Sequence, residues 1–198
     1  AQRGARLYIL DPRGQHLDRY ATESIRFSPG SDVAMLNAMI NVIITEELYD
    51  ADYVAKQTEG FEDLKARTAH TTPEAMAPIC GVDADTLRRV ARGYATAGSA
   101  MIFWGMGISQ HTHGTDNSRC LISLALLTGN VGRAGTGLHP LRGQNNVQGA
   151  SDAGLIPMFF PDYKPVTDAE TRAKYENFWG TTLDPELSLI HISEPTRR

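Results

Sequence analysis

The sequence predicts an α/β protein in which a parallel sheet carries helices on both faces. Short β-rich runs alternate with longer segments of helical periodicity. One run, residues 100–104, is apolar without a break, and glycine- or proline-bearing turns follow the runs. An unbroken apolar strand is the pattern of a strand covered on both faces. Strand–turn–helix alternation is the pattern of parallel strands joined by crossover helices, a layout common among nucleotide-binding domains.

The elements follow in order. Residues 7–10 read as a first strand, ended by Asp11-Pro12-Arg13-Gly14, where proline forbids further pairing. Residues 25–27 read as a second, closed by Pro29-Gly30. Ser31 or Asp32 then caps a helix in which Val33, Leu36, Ile40, Ile43 and Ile44 recur at helical spacing and leave little polar girth, so this helix is expected to be well buried. Short helical pieces are expected at 52–57, 61–67 and 73–77. Residues 83–97 form a cleaner amphipathic helix, with Leu87, Val90, Ala91 and Tyr94 on one face and Arg88, Arg89 and Arg92 outside. After the apolar strand and a loop, residues 117–127 read as a strongly apolar helix stopped by Gly129-Asn130. Beyond about Gly149 the pattern turns irregular and proline-rich, as in a surface connection.

Composition narrows the function. The 198 residues suit one domain or slightly more at the usual ~100–200 residues each. With 41% hydrophobic residues a core is affordable, and a net charge of −4 without any basic stripe argues against a nucleic-acid partner. No apolar run reaches the ~18–20 residues of a membrane span. Two cysteines, Cys80 and Cys120, make neither a disulfide framework nor a four-thiolate metal site, and a reducing cytoplasmic setting fits them. Both ends depart from a complete protein: a strand follows Ala1 almost at once, which suggests truncation upstream. Residues 187–197 match the translation of a common transposon-type sequencing adaptor, and residues from Leu187 onward are set aside as non-native.

Ligands of open α/β sheets sit outside the carboxyl ends of strands, and three loops fall there. In the first, Asp11 can accept from ribose hydroxyls or a guanine edge and Arg13 can pair with phosphate, unless the two merely end the strand. In the second, Gly30-Ser31-Asp32 caps a helix or places a carboxylate to accept two N–H bonds from guanine. In the third, Gly105-Met106-Gly107-Ile108-Ser109-Gln110, small residues let a backbone approach a pyrophosphate. The third glycine of the dinucleotide fingerprint is missing, so a nicotinamide cofactor on this chain is poorly supported. His111 and His113 share one side of a loop, but without a third ligand they read as surface polar residues rather than a metal site. Residues 132–137 lack the ending of a P-loop and read as a flexible turn, while Cys80 and Cys120 read as inert core thiols. The segment 141–154 is different. Arg142, Gln144, Asn145, Asn146 and Gln148, interleaved with Gly143 and Gly149, suit neither helix nor strand, and fit a loop wrapped around a polar ligand whose lone arginine binds a small carboxylate.

The run Arg142-Gly143-Gln144-Asn145-Asn146-Val147-Gln148-Gly149, with Trp104-Gly105-Met106-Gly107 and Leu126-Leu127-Thr128-Gly129-Asn130 before it, closely resembles the large subunit of molybdenum formate dehydrogenases. Gly107-Ile108-Ser109-Gln110-His111, Gly137-Leu138-His139-Pro140 and Leu155-Ile156-Pro157-Met158 resemble most the α subunit of the soluble, NAD-dependent type. The likeness covers roughly residues 3–186, with Gly14 and Ser31 standing where the wider family more often has Arg and Thr. It implies formate oxidation to CO2 at molybdenum or tungsten held by bis(molybdopterin guanine dinucleotide). On the same resemblance Arg142 binds and orients formate and Gln144 lies close by as the second catalytic residue. Asp11, Arg13, Gly30, Asp32, Gly107, Gln110, Gly143 and Asn145 bind the cofactor, with no metal ligand in this chain.

The division implied is a guanine-dinucleotide-binding α/β domain over residues 1–142, the start of a neighbouring cofactor-binding domain over 143–186, and the non-native tail 187–198. The metal-ligating Cys or selenocysteine and the 4Fe-4S clusters would lie upstream. NAD and FMN would sit on iron–sulfur/flavin diaphorase partner subunits of a hetero-oligomer, and this piece alone would be inactive. Two other readings share the fold: another bis-pterin molybdenum oxidoreductase such as a nitrate reductase, and a non-catalytic scaffold resembling the respiratory complex I large subunit. The loop 142–149 argues against both.

Overall fold

The computed structural model of the chain describes residues 3–183. The adaptor-like stretch from Leu187, and the end of the second expected domain at 186, lie outside the described residues. The chain divides into two compact units, Ala1–Leu141 and Arg142–Arg198.

The first unit is built around one helix. Strand β1 (Tyr8–Leu10) pairs in parallel with β2 (Glu23–Ile25), Tyr8 opposite Glu23 and Leu10 opposite Ile25. The second strand therefore ends two residues earlier than the sequence suggests. Past Ile25 the chain leaves the ladder, and the Ser28 N–H donates to the Cys80 carbonyl at 2.7 Å. Helix α1 (Asp32–Thr45) follows, with Met35, Leu36, Met39, Ile40, Ile43 and Ile44 all buried. It packs against α3 (Phe61–Thr68), α4 (Pro73–Cys80), α5 (Ala84–Ala95) and α7 (Gly114–Leu127), which explains why apolar residues surround it. Each buried Leu or Ile contributes about 1.5–3 kcal/mol, so α1 is where most of the unit's hydrophobic stabilisation converges.

Local chemistry sets the helix starts. The Asp50 carboxylate accepts from the Tyr53 N–H at 3.0 Å to open α2 (Ala51–Gln57), the Thr72 hydroxyl from Ala75 at 3.2 Å, and the Asp83 carboxylate from Thr86 at 2.9 Å. Arg89 and Arg92 of α5 are exposed as expected and Arg88 is half-buried, and all three are also ties. Arg89 pairs with Glu23 at 2.6 Å, Arg92 forks onto Glu46 at 2.7 and 2.8 Å, and Arg88 pairs with Glu74, joining α5 to β2, to the end of α1 and to α4.

Strand β3 (Met101–Trp104) pairs in parallel with β4 (Gly137–Pro140), and the crossover between them is α6 (Met106–Ser109) followed by α7. Parallel pairing with helical crossovers is as predicted, though the four strands form two separate two-stranded sheets rather than one. Three details correct the sequence reading. Residues 106–109 are helical rather than loop, α7 begins at Gly114 rather than 117, and residues 137–140 are a strand. Coverage of β3 on both faces also fails: Ile102 and Trp104 pack on the core, while Met101 and Phe103 are exposed. The expected flexible turn before β4 is pinned instead. The Arg133 guanidinium donates to the Gly129 carbonyl at 2.9 Å and reaches the Gly98 carbonyl and Asn130 Oδ1 at 3.3 Å. Asn130, almost fully buried, accepts from the Ala100 N–H at 3.0 Å and donates to Thr128 Oγ1 at 2.8 Å, fixing where β3 starts.

Both cysteines are core residues, as read. Burial, with a smaller push from Asp116, raises the Cys120 thiol from 9.0 to about 11. The neutral thiol is thus the folded form, so stability should fall as pH climbs from 9.0 toward about 11, where only the unfolded thiol ionises freely. Cys120 should also resist iodoacetamide near neutral pH until the chain is denatured, as mass spectrometry of alkylated peptides would show; rapid labelling of native protein would contradict its burial.

The second unit contains α8 (Val147–Asp152), the antiparallel pair β5 (Phe159–Phe160) and β6 (Lys164–Pro165), and α9 (Ala169–Trp179). The segment 141–154 is thus helical over α8, a correction to its reading as wholly irregular. The irregular stretch beyond 149 likewise contains α9. Phe160 stacks on Tyr175 at 4.8 Å and Tyr175 packs on Trp179 at 4.8 Å, which secures α9 against β5. Among the described residues no helix is long and apolar enough to cross a membrane.

Candidate functional site

The loop after β1 uses its carboxylate on itself. Asp11 Oδ1 accepts from the Arg13 and Gly14 N–H groups at 2.8 and 3.1 Å, and Oδ2 accepts from Gln15 Nε2 at 2.7 Å. The Gln15 bond foremost, against a partial opposing effect of burial, holds the Asp11 carboxyl below the usual carboxylate range. Asp11 is therefore an ionised turn-former that directs Arg13 outward. Among the described residues the exposed Arg13 guanidinium has no ion-pair partner.

The loop after β2 leads into a cleft. Gly30 has φ +83°, a left-handed conformation that favours glycine, and open space where a Cβ would stand. Ser31 occupies the N-cap position of α1, but its hydroxyl donates to the Ser28 carbonyl at 2.6 Å instead of capping. Asp32, the first residue of α1, is only 2% exposed. Its carboxylate has no hydrogen-bond or ion-pair partner among the described residues. It lines a cleft of about 180 Å³ together with Gly30, His111, Thr112, His113 and Asn117. That volume would hold roughly six waters, or a small heterocycle in their place. Neither Asp32 oxygen is among the enclosed atoms that lack a partner, so the carboxylate opens on the cleft, where it can accept hydrogen bonds from a ligand.

The other wall is the loop between α6 and α7. The Ile108 carbonyl accepts from Asn117 Nδ2 at 2.9 Å, the Gly114 N–H donates to the His111 carbonyl at 3.0 Å, and the Gly107 carbonyl accepts from His111 Nε2 at 2.8 Å. These bonds fold the loop back on α7 and stand its histidines beside α1. Gly107 and Gln110 are exposed and do not line the cleft, nor do Asp11 and Arg13. The structure thus joins Gly30 and Asp32 to Thr112, Asn117 and the two histidines. Among the described residues no group of three or more His, Cys, Asp or Glu side chains could hold a metal.

Arg142, Gly143, Gln144 and Asn145 open the second unit as an exposed loop running into α8, with Asn146 left-handed at φ 53° before the first helical turn. Among the described residues the Arg142 guanidinium has no ion-pair partner. Four exposed polar or glycine residues in sequence leave their donors and acceptors available to a ligand.

Comparison with known proteins fits this chemistry. Formate dehydrogenase H of Escherichia coli is 45% identical over 195 residues, which is 98% of this chain and 27% of that protein. The F420-dependent formate dehydrogenase subunit alpha of Methanocaldococcus jannaschii is 44% identical over 94% of this chain and 28% of its own length. The chain thus spans little more than a quarter of these relatives. Among solved structures, acetylene hydratase from Pelobacter acetylenicus superposes with a TM-score of 0.65 at 32% identity, covering 68% of this chain and 18% of that one. The profile of the molybdopterin oxidoreductase family matches residues 1–185, and the chain belongs to that family.

Proposed function

We propose that this chain is part of the catalytic subunit of a formate dehydrogenase and holds one guanine dinucleotide arm of a molybdenum or tungsten bis(molybdopterin guanine dinucleotide). The observation that carries the reading is Asp32: a carboxylate without a partner among the described residues, opening on a cleft beside an unobstructed left-handed glycine. Guanine presents a ring N–H and an amino N–H side by side, and one carboxylate can accept from both. Arg13, Gly107, Gln110, Gly143 and Asn145 would contact other parts of the cofactor, and Asp11 would serve by directing Arg13. When bound, the pterin-held metal supplies two-electron acceptance. Arg142 would bind formate through a two-pronged guanidinium–carboxylate contact and aim its C–H bond, with Gln144 beside it.

The relatives' names support formate as substrate. Transfer of electrons through 4Fe-4S clusters to FMN and NAD on diaphorase partners, in a cytoplasmic hetero-oligomer, rests on the motif wording around Gly107–His111 and 155–158 and extends the proposal. The division at 142/143 into two cofactor-binding domains, and the inactivity of this chain alone, belong to it as well.

Asp32→Asn in the complete enzyme tests the cofactor arm. Losing a charge-assisted pair of bonds should lower pterin and metal occupancy about tenfold or more under limiting cofactor. The check is metal analysis together with guanine nucleotide released by acid. Full occupancy in that variant would remove Asp32 from the site.

A further inference from the structure

Strand β3 has the chemistry of a strand inside a sheet, yet it is paired along one edge only. The Gly137 N–H donates to the Ala100 carbonyl at 3.3 Å and the Leu141 N–H to the Trp104 carbonyl at 2.6 Å. Backbone groups of successive strand residues point to opposite edges. Ala100, Ile102 and Trp104 therefore face β4, and the N–H and C=O groups of Met101 and Phe103 face away from it. Among the described residues β3 has no second strand neighbour.

The two outer edges of this pair differ. On β4 the outward backbone positions are Leu138 and Pro140, and proline, which has no N–H to offer, is tolerated on a true edge strand. On β3 nothing blunts the edge, because residues 98–110 contain no Asp, Glu, Lys, Arg or Pro. The free face is apolar as well. Met101 is 45% exposed, and Phe103 and Leu141 are each 58% exposed. The Phe103 ring is stacked on His139 at 4.8 Å, which holds it flat across that face.

We propose that the open edge of β3 receives a further strand of the same polypeptide, supplied from outside these 198 residues, and that the helix joining it covers Met101, Phe103 and Leu141. Both strand pairs of this unit are parallel. A parallel neighbour needs a crossover of about a dozen residues or more, usually a helix, so edge and face are bare together because one strand–helix unit fills both. A second copy on a two-fold axis would instead set β3 against itself in antiparallel fashion and bring no crossover. The relatives have the length for such a unit, since this chain spans 27% and 28% of two of them. The inference rests on the reading of this chain as part of a longer catalytic subunit.

The test uses the complete enzyme. Residue-resolved hydrogen exchange should find the Met101 and Phe103 amides about 10³-fold or more slower than free amides, the protection of a paired strand in a protein of ordinary stability. With p-benzoylphenylalanine in place of Phe103, illumination should join that position to a residue of the same polypeptide outside this sequence. Mixing protein of natural and heavy isotope content before illumination separates links within one chain from links between chains. Fast exchange at both amides would overturn the proposal, and so would a crosslink to a second copy or to another subunit. Formate turnover of the same samples keeps the failures apart. An active enzyme with fast amides refutes the added strand alone, whereas a complete polypeptide no longer than this sequence refutes the longer subunit with it.

Discussion

Replacing Arg142 by alanine in the complete enzyme should leave its metal and pterin in place and reduce formate oxidation by about 10²–10³-fold. A one-carbon carboxylate offers few handles. Its two oxygens fit the fork of a single guanidinium, and that fork sets the direction of the one C–H bond to be broken. Removing it forfeits both the binding contact and the alignment, and misplacement by about 1 Å alone can cost 10²-fold. Arg142→Lys should fall between, because lysine keeps the charge but not the planar pair of donors. Arg142 is exposed at the start of the second unit, so its side chain holds no core together, and metal content with dye-linked turnover separates a folding defect from a lost contact. Wild-type turnover in Arg142→Ala would remove this residue from formate binding.

Gly114→Ala should cost the largest stability of any single methyl added near the cleft, about 3 kcal/mol or more. A Cβ at Gly114 would overlap the Ser109 carbonyl oxygen and lie 2.6 Å from its carbon. Both are backbone atoms, so no rotamer change relieves the overlap. The loop 109–113 would have to move off the first turn of α7. That displaces His111 and His113 from the Asp32 wall and weakens the bond from Asn117 to the Ile108 carbonyl. Denaturant unfolding of the two chains gives the difference. An unchanged midpoint would mean that the close approach between Ser109 and Gly114 is not kept in solution.

The helices of the first unit other than α6 and the start of α7 were legible because their signals are local. Thr72 and Asp83 cap where they stand, and the apolar recurrence in α1 matches its burial on every side. Strand β4 was not legible: Gly137-Leu138-His139-Pro140 has no β-branched residue, and it is extended because it pairs with β3 and sets Leu138 on the core. Helix α9 did carry readable signals, an Asp168 cap accepting from the Thr171 N–H at 2.9 Å and a left-handed stop at Gly180. It lacks an apolar stripe, because only its aromatic residues hold it. At the cleft, Gly30 and Asp32 could be nominated from their loop. His111 and His113 were weighed as metal ligands and read as surface polar residues, since nothing in their neighbourhood shows that the turn after α6 folds back to the start of α1.

The assignment to formate oxidation is measured most directly by formate-dependent dye reduction with the purified complete polypeptide that carries this sequence, its metal and pterin content determined on the same sample. Turnover is expected to depend on formate and to scale with the metal and guanine-dinucleotide pterin present. Protein loaded with metal and pterin that leaves formate untouched would contradict it.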